Sequence, residues 1–245
     1  FFPPELAAIV ADKANLPAPD VVDELLTLPL ISGSGVRVTL GEVLRPSNSG
    51  DGADRIIMVF LRHSWCPFDQ DYMIHMGDVL KRLDGEGAFA TPATTGVSRT
   101  QLLIISNGSY KLISKYMSVL GLKHGLWYGE DNRVRVKAGM YVDPGLALYR
   151  ALGLQLLKDP CTSTALVETA KYIKRGTMNG IAMVLRRAFK GRLPLWEKGG
   201  HNEQLGGQFV MTYDRGDRLT CAFAHRMMTP RDHASIVNVL QAAGV

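Results

Sequence analysis

The chain reads IIMVFLRHSWCPFD from Ile56 to Asp69. The run up to Leu61 is apolar without alternation and rich in β-branched and aromatic residues, a pattern typical of a strand buried on both faces. Pro67 is favoured in the first turn of a helix, where the N–H that proline lacks would have no partner. The sequence therefore predicts a buried strand, a basic turn, and a helix that begins at the Cys-Pro pair.

Cys66 is expected at the N-terminus of this helix, just beyond the carboxyl end of the strand. Backbone N–H groups and the helix dipole stabilise a thiolate there, and Arg62 and His63 would add positive charge. A free cysteine is usually a buried structural side chain. The combination of a strand, basic residues and Cys-Pro is more specific than a lone cysteine, and it favours a reactive thiol.

The composition is that of a globular protein large enough to bury a core, with 245 residues, 46% hydrophobic residues and a net charge of +5. Basic residues are dispersed and the fingerprints of nucleic-acid-binding folds are missing, which predicts no nucleic-acid partner. No apolar run reaches the ~20 residues that span a bilayer, which predicts no membrane association. The first residue is Phe1 rather than methionine, so a removed leader stays open as an alternative.

The number and spacing of the cysteines and histidines limit the possible cellular location and the possible cofactors. Three cysteines, Cys66, Cys161 and Cys221, are too few for a secreted disulfide scaffold and predict a reducing, cytoplasmic location. Six histidines are present, but no spacing among them matches a metal site. We therefore expect no metal ion and no other cofactor.

Apolar and helical segments alternate after the first strand. A second buried strand is predicted at 101–106 and a helix at 109–120, and this β–α–β–α order predicts a parallel sheet. Residues 125–130 predict a third, short strand. The alternating charges of residues 131–137 predict an exposed turn.

The last segments complete the predicted fold. A β-hairpin over 209–225 adds antiparallel strands, and a helix over 230–243 closes the chain. The fold class is therefore α/β, a thioredoxin-like three-layer sandwich with a mixed central sheet and helices on both faces. Residues 1–30 predict an N-terminal helical extension, and 31–245 a single domain with a helical insertion at about 160–192.

Four segments form an ordered series along the chain: Phe60-Leu61-Arg62-His63-x-x-Cys66, Val142-Asp143-Pro144 followed by Tyr149-x-x-Leu152-Gly153, Gln204-x-Gly206-Gly207, and Val239-Leu240-x-x-Ala243-Gly244-Val245. This series resembles the peroxiredoxin-like proteins of the AhpC/TSA antioxidant-enzyme-domain type, in the thioredoxin superfamily, over about residues 39–245. The resemblance implies thiol chemistry on a small peroxide or endoperoxide. It also implies recycling by a thiol reductant, thioredoxin or glutathione, and a homodimer as an assembly to test.

In this resemblance Cys66 matches the first cysteine of the family's Cys-x-x-Cys, and Asp69 stands in place of the second. The usual local disulfide cannot form, so Cys161, Cys221 or an external thiol would have to resolve a sulfenic acid on Cys66. In the first helical turn Asp69 stabilises the helix, but its charge would raise the pKa of a nearby thiol. Asp69 is also a candidate acid or base for chemistry without a redox step.

The remaining predictions concern the roles of residues expected near Cys66. Arg62 would lower the thiol pKa and hold a developing oxyanion, or form an ordinary ion pair at the strand end. His63, which replaces a threonine typical of the family, would act as a base or hydrogen-bond donor, or lie at the surface. The Gly206-Gly207 segment falls where thioredoxins place a cis-proline that faces the cysteine. The candidate catalytic residues are Cys66, Arg62, His63 and Asp69, and the candidate substrate-binding residues are Ser64, Trp65, Phe68, Gly207, Gln208 and Arg226.

The missing second cysteine leaves three hypotheses about function. The first is a thioredoxin-fold, thiol-dependent oxidoreductase that reduces a peroxide or endoperoxide through a nucleophilic Cys66. The second is a non-redox enzyme of the same fold (an isomerase, cyclase or lyase) or a binding protein, acting on an apolar metabolite in a pocket over Cys66 and Asp69. The third is a partner-binding domain, and only the additional helices predicted at 163–190 support it.

Overall fold

The predicted strand before the Cys-Pro pair is the central strand of a mixed sheet. A computed structural model of the chain describes residues 14–44, 53, 55–82, 98–123, 127–128, 134–157, 182, 186, 194, 196–214 and 218–244. Within these residues the strands are β1 (Pro29–Ile31), β2 (Arg37–Thr39), β3 (Arg55–Phe60), β4 (Ser98–Ser106), β5 (Trp127–Tyr128), β6 (Val134–Val142), β7 (Gly207–Tyr213) and β8 (Leu219–Arg226). The helices are α1 (Pro19–Thr27), α2 (Leu40–Leu44), α3 (Pro67–Arg82), α4 (Ile113–Val119, preceded by a 3₁₀ turn over Tyr110–Leu112), α5 (Ala147–Ala151) and α6 (Ile236–Ala242).

The sheet has the strand order β2-β1-β6-β4-β3-β7-β8, with β5 paired to β6 beside this path. β3, β4 and β6 run parallel to one another, and β7 and β8 form an antiparallel hairpin next to β3. The parallel core and the closing hairpin are confirmed as predicted. Because the carboxyl ends of β3 and β4 meet at one edge, the turns that follow these strands lie side by side.

β3 is buried on both faces, as its unbroken apolar run predicts. Ile57 and Val59 pack on the side of α3, α4 and α6. Ile56, Met58 and Phe60 pack on the other side, with α1, α2 and α5. The fold is therefore the predicted α/β, thioredoxin-like three-layer sandwich, with helices on both faces of a mixed sheet.

The turn predicted at residues 131–137 is wrong from residue 134 onward, because β6 begins there. Val136 is buried and Lys137 is half-buried, which is the two-residue alternation of a strand. The charges of this segment suggested exposure, whereas β6 pairs in parallel with β4 along its whole length. The predicted third strand at 125–130 is confirmed as the short β5.

The final helix begins at Ile236 rather than at residue 230. The intervening turn is held by Asp232, whose side chain accepts a hydrogen bond from Met228 N at 2.9 Å. The Asp232 N–H in turn donates to Thr229 O at 3.1 Å. Such local bonds compete with helix formation, so the segment before α6 is a loop.

The N-terminal region is described from residue 14. There α1 contributes Val22 and Leu25 to the core beneath the sheet. Residues 1–13 and nearly all of 160–192 lie outside the described residues, so the predicted extension, domain boundaries and helical insertion stay predictions. None of the described helices has the length and apolar character that a bilayer crossing requires.

Tyr149 of α5 ties together the carboxyl ends of β3 and β4. Its hydroxyl lies 2.6 Å from Leu61 O and 3.1 Å from Ile105 O, so that one donor serves two carbonyl oxygens. The ring is fully buried and meets Phe60 edge to face at 5.1 Å between centroids. Burial raises the pKa of Tyr149 well above its ordinary value, which keeps the hydroxyl a neutral donor.

We expect Tyr149→Phe to lower the free energy of unfolding by about 1–3 kcal/mol, because Leu61 O loses the hydroxyl that donates to it, whereas Ile105 O keeps the Leu61 N–H at 2.8 Å. Chemical denaturation measures the change. Tyr213→Phe is the matched control, since its hydroxyl donates to Leu44 O at 3.0 Å from a half-buried position. Tyr213→Phe should lower the free energy of unfolding by less. Equal decreases in the two variants would contradict this role of Tyr149.

Candidate functional site

Cys66 lies between the end of β3 and the first turn of α3, and it is fully buried. Its N–H donates to His63 O at 3.1 Å, and its carbonyl accepts from Gln70 N at 3.1 Å. Pro67 is the first residue of α3, where its missing N–H costs no hydrogen bond. The predicted junction of strand, turn and helix is therefore confirmed.

The Arg62 side chain reaches the thiol. Its Nη1 lies 3.5 Å from Cys66 Sγ, and its Nη2 donates to Asn202 O at 2.8 Å. Its backbone is fixed as well, because the N–H donates to Asp69 Oδ2 at 2.7 Å and the carbonyl accepts from Asn107 Nδ2 at 2.8 Å. Among the described residues, Nε of this buried guanidinium has no hydrogen-bond partner. Arg62 therefore offers a donor beside the sulfur.

Asp69 is a fully buried carboxylate paired with His233. The distance between Asp69 Oδ1 and His233 Nε2 is 2.8 Å, and the two side chains are 0% and 1% exposed. Burial alone raises the pKa of Asp69, but the hydrogen bond and charge of His233, with the charge of Arg62, bring it below its usual value. Asp69 is therefore ionised at neutral pH.

The thiol of Cys66 is held in its protonated form. Burial raises its pKa to about 12, and the charge of Asp69 adds to this shift. Arg62 acts in the opposite direction without outweighing burial. The expectation of a thiolate stabilised by the helix terminus is therefore wrong for this closed arrangement, whereas the expected effect of Asp69 is confirmed.

His63 is half-buried and uncharged. Burial lowers its pKa to about 4, although the charge of Asp69 acts to raise it. Its Nδ1 is buried and lacks a hydrogen-bond partner within the described part of the chain. His63 is thus not an ordinary surface histidine, and it can accept a hydrogen bond or a proton. In the same part of the chain, no three His, Cys, Asp or Glu side chains are grouped as metal ligands would be.

The three predicted substrate-binding residues around Cys66 have different surroundings. Ser64 Oγ shares a hydrogen bond of 3.1 Å with Ser106 Oγ, so its hydroxyl bridges the turns after β3 and β4. Phe68 packs against Cys66 and lies 4.7 Å beneath the Arg231 guanidinium. Trp65 is half-buried. Phe68 supplies apolar surface next to the thiol, whereas Trp65 packs against the core on the α3 side of the sheet. The role of both residues in substrate binding stays a prediction.

Residues 196–206, which we call the strap, cross the turns after β3 and β4. Gly199 O accepts from Ser64 N and Lys198 O accepts from Ser109 N, both at 2.8 Å. A side chain at Gly199 would overlap the Trp65 ring, and Gly200 has a φ of +119° that favours glycine. The strap also carries Asn202 O, the acceptor of Arg62, and so it helps to seal the thiol from solvent.

The predicted residues of the hairpin divide between the two faces of the sheet. Gly207 pairs with Phe60 at the end of β3, so it lies at the edge that carries Cys66. Gln208 is fully buried and accepts a hydrogen bond from Ala234 N at 3.0 Å, next to His233. No cis peptide bond occurs in the described residues. Both residues thus lie near the site, and their predicted role in binding stays a prediction.

Arg226 is directed away from the thiol. Its Nε donates to Leu152 O and its Nη1 to Asn15 O, both at 2.6 Å. Its guanidinium also lies over the Phe209 ring, which packs in the core beneath the sheet. The structure brings Arg226 together with the N-terminal region rather than with Cys66.

Cys221 is too far from Cys66 to resolve it. It pairs with Met211, which pairs with Ile56, four residues before the end of β3. That places Cys221 about 13 Å along the sheet and about 10 Å across it from the edge at Phe60. A disulfide needs a Cα separation of about 4.4–6.8 Å. Cys161 lies outside the described residues.

Sequence reasoning missed His233, Asn107 and Asn202. No metal spacing in the sequence includes His233, although the adjacent acid in Asp232-His233 marks a polar turn. Asn107 follows β4 directly, and its side chain bonds both Arg62 O and His201 N at 2.8 Å. A polar residue at the carboxyl end of a buried strand is a signal that could have found it.

The comparisons with known proteins are distant. No family model matches the sequence, and no curated protein matches it. The structure is similar to that of Xanthomonas campestris bacterioferritin comigratory protein, described for its alkyl peroxide reduction activity, at 13% identity and a TM-score of 0.44 over 94% of this chain and 97% of that chain. It is also similar to cysteine-to-serine mutants of Xanthomonas campestris peroxiredoxin Q, at 12% identity and a TM-score of 0.44 over 94% of this chain and 92% of theirs.

We expect Gly199→Ala to expose Cys66, because the new methyl group must displace the strap or the Trp65 ring. Alkylation of Cys66 by iodoacetamide in the folded protein should become about tenfold faster, since overpacking costs about 1–3 kcal/mol. Gly145→Ala is the control, because the one contact that a side chain there makes with the described residues is with Asp143 Oδ1 at 3.8 Å. Unchanged alkylation in a folded Gly199→Ala protein would contradict the sealing role of the strap.

Proposed function

We propose that this chain is a thiol-dependent oxidoreductase of peroxiredoxin-like type, which reduces a small peroxide or endoperoxide through Cys66. The observation that carries the proposal is the position of Cys66 Sγ at the N-terminus of α3, 3.5 Å from Arg62 Nη1. A helix N-terminus and a guanidinium both stabilise negative charge, on the sulfur before the reaction and on oxygen during it. The sequence resemblance over residues 39–245 supports the same chemistry.

In the first step the Cys66 sulfur attacks one peroxide oxygen. The S–O bond forms as the O–O bond breaks, the sulfur is oxidised to a sulfenic acid, and the other oxygen leaves as an alcohol with the proton that the thiol gave up. With an endoperoxide the first product is a sulfenate ester, because both oxygens carry carbon. Arg62 supplies donors to the leaving oxygen, and one of them is its Nε, which has no hydrogen-bond partner among the described residues.

Recycling requires a thiol from outside the described residues. An external thiol attacks Sγ, displaces water from the sulfenic acid, and forms a mixed disulfide. A second external thiol then releases Cys66, and the two external sulfurs leave as a disulfide. We therefore propose a thiol reductant, such as thioredoxin or glutathione, as the partner; the homodimer and the cytoplasmic location stay predictions.

The test of this proposal is the fate of the cysteines during reduction of an apolar probe, cumene hydroperoxide. We expect Cys66→Ser to abolish its reduction with dithiothreitol, and mass spectrometry to find one oxygen added at Cys66 after one equivalent of peroxide. Cys221→Ser should keep full activity, because that thiol lies too far away. Peroxide reduction that survives Cys66→Ser would overturn the proposal.

A second candidate function rests on the buried pair of Asp69 and His233. A carboxylate that orients a histidine is a common arrangement for proton transfer, and the thiol beside it is protonated. The chain would then be a non-redox enzyme, an isomerase, cyclase or lyase, acting on an apolar metabolite over Cys66 and Asp69. In that case Asp69 is needed for activity and the sulfur of Cys66 is not.

We expect Asp69→Cys to separate the two candidates. It places a second thiol one turn along α3, the spacing at which Cys-x-x-Cys pairs form disulfides, and it removes the charge that opposes the thiolate. Under the first candidate, peroxide then converts the pair into a Cys66 to residue-69 disulfide, seen as the loss of two hydrogens, and turnover with dithiothreitol rises. Asp69→Asn controls for loss of the charge alone, since it cannot form the disulfide. A variant that gains no disulfide and no turnover would favour the second candidate.

A further inference from the structure

Asn107 is a buried side chain that joins two parts of the thiol site. It follows β4 directly and is 5% exposed. Its Nδ2 donates to Arg62 O and its Oδ1 accepts from His201 N, each at 2.8 Å. A carbonyl oxygen only accepts hydrogen bonds and a backbone N–H only donates, so these two partners fix the orientation of the amide. The position therefore requires an amide, which offers one donor and one acceptor without a charge.

The two bonds of Asn107 act on both ends of the Arg62 side chain. The bond to Arg62 O holds the backbone from which this side chain starts. The bond to His201 N holds the strap next to Asn202, whose carbonyl accepts from Arg62 Nη2 at 2.8 Å. With both ends held, Nη1 of the same guanidinium lies 3.5 Å from Cys66 Sγ. Since a free arginine side chain carries about 2 kcal/mol of rotamer entropy, these two anchors keep a mobile group in one place.

The strap approaches Asn107 closely because glycines lie on both sides of the contact. A side chain at Gly200 would overlap Asn107 Oδ1, and a side chain at Gly108 would meet Gly199 O at 2.5 Å. The strap and the turn after β4 therefore pack backbone against backbone. This approach brings the N–H of the residue after Gly200 within hydrogen-bond distance of the amide.

We propose that Asn107 is a positioning residue of the thiol site, which keeps the Arg62 guanidinium beside Cys66 by joining the Arg62 carbonyl to the strap. The inference rests on the proposed function for its effect on catalysis, but not for the position of the guanidinium itself. Asn107 acts through Arg62, which under the proposed function donates to the oxygen that leaves. A guanidinium that moves away from Sγ stabilises the charge on that oxygen less.

A double-mutant cycle of Asn107→Ala and Arg62→Gln tests the proposal, with the rate of Cys66 oxidation by cumene hydroperoxide in a single turnover as its first reading. Asn107→Ala should slow this oxidation about tenfold, because the displaced guanidinium stabilises the leaving oxygen less. In the Arg62→Gln background Asn107→Ala should change nothing further, since no guanidinium is left to position. Arg62→Gln retains the backbone carbonyl that Asn107 bonds, so a merely structural role of Asn107 would slow the reaction in both backgrounds.

Alkylation of Cys66 by iodoacetamide at one fixed pH gives a second reading that needs no peroxide, with the adduct located by mass spectrometry. The charge of Arg62 acts to lower the pKa of Cys66, so displacement of the guanidinium slows alkylation, whereas a loosened strap speeds it. The cycle separates these effects. The factor by which Asn107→Ala changes the rate should be about tenfold smaller with Arg62 present than in Arg62→Gln, the usual effect of a nearby charge. An equal or larger factor with Arg62 present would mean that Asn107 acts on the strap alone, and it would overturn the proposal.

The matched control is Ser109→Ala, in the same turn after β4. The Ser109 hydroxyl bonds the carboxylate of Glu197 in the strap, so this variant also removes a side-chain bond to the strap, but one that does not involve Arg62. Its effect on both rates should be the same in the two Arg62 backgrounds to within about twofold, as for independent sites. A dependence on Arg62 as large as that of Asn107→Ala would overturn the proposal.

Circular dichroism confirms that each variant is folded. Should Asn107→Ala fail to fold, Asn107→Ser gives the same cycle with a polar side chain too short to join Arg62 O to His201 N. If the peroxide does not oxidise Cys66 in the unmodified chain, the proposed function fails, and the alkylation cycle still decides this inference. If oxidation proceeds and the cycle shows no dependence on Arg62, the positioning role fails and the proposed function stands.

Discussion

The buried Asp69 carboxylate joins the parts of the chain that form the site. It lies in the first turn of α3, it fixes the turn after β3 through Arg62 N, and it holds the loop before α6 through His233. Removing a hydrogen-bond partner from a buried carboxylate leaves its charge unsatisfied, at a cost of about 1–3 kcal/mol or more. Since the pKa of Asp69 is below its usual value, its ionised form stabilises the fold at neutral pH, and this contribution is lost as the pH falls through the acid range.

The sequence was sufficient for the parts of the fold that local patterns encode. The unbroken apolar run of β3 and the Cys-Pro start of α3 predicted their own structures, because burial on both faces and the missing proline N–H leave few alternatives. β6 was missed, since its period-two pattern competes with alternating charges that are typical of exposed turns. The start of α6 was placed too early because the hydrogen bonds of Asp232, which replace the first helical turn, depend on tertiary structure.

The site was predictable only where its residues are close in sequence. Cys66, Arg62 and Asp69 lie within one strand–turn–helix unit, so their grouping follows from the local fold. His233 lies 164 residues from Asp69, and its contact arises from the packing of the α6 loop against α3. The raised pKa of Cys66 has the same origin, because the helix terminus and Arg62 are visible in the sequence, whereas the burial that outweighs them is not.

Burial of Cys66 affects both the access of solvent to its sulfur and the reactivity of its thiol. Burial is the largest cause of its raised pKa, and the strap holds two neighbours of Cys66 in place, because Gly199 O accepts from Ser64 N and Asn202 O accepts from Arg62 Nη2. Under the proposed function, a movement of the strap that admits a peroxide would also let water reach Sγ, which would remove the main cause of the raised pKa and leave the charge of Arg62 beside the sulfur. Because the carboxylate of Asp69 cannot form a disulfide with Cys66, the same opening would, under the proposed function, also have to admit the thiol that restores Cys66. Under the proposed function the site would alternate between a closed, protonated thiol and an open, ionised one, with the charges of Arg62 and Asp69 acting on the sulfur in opposite directions.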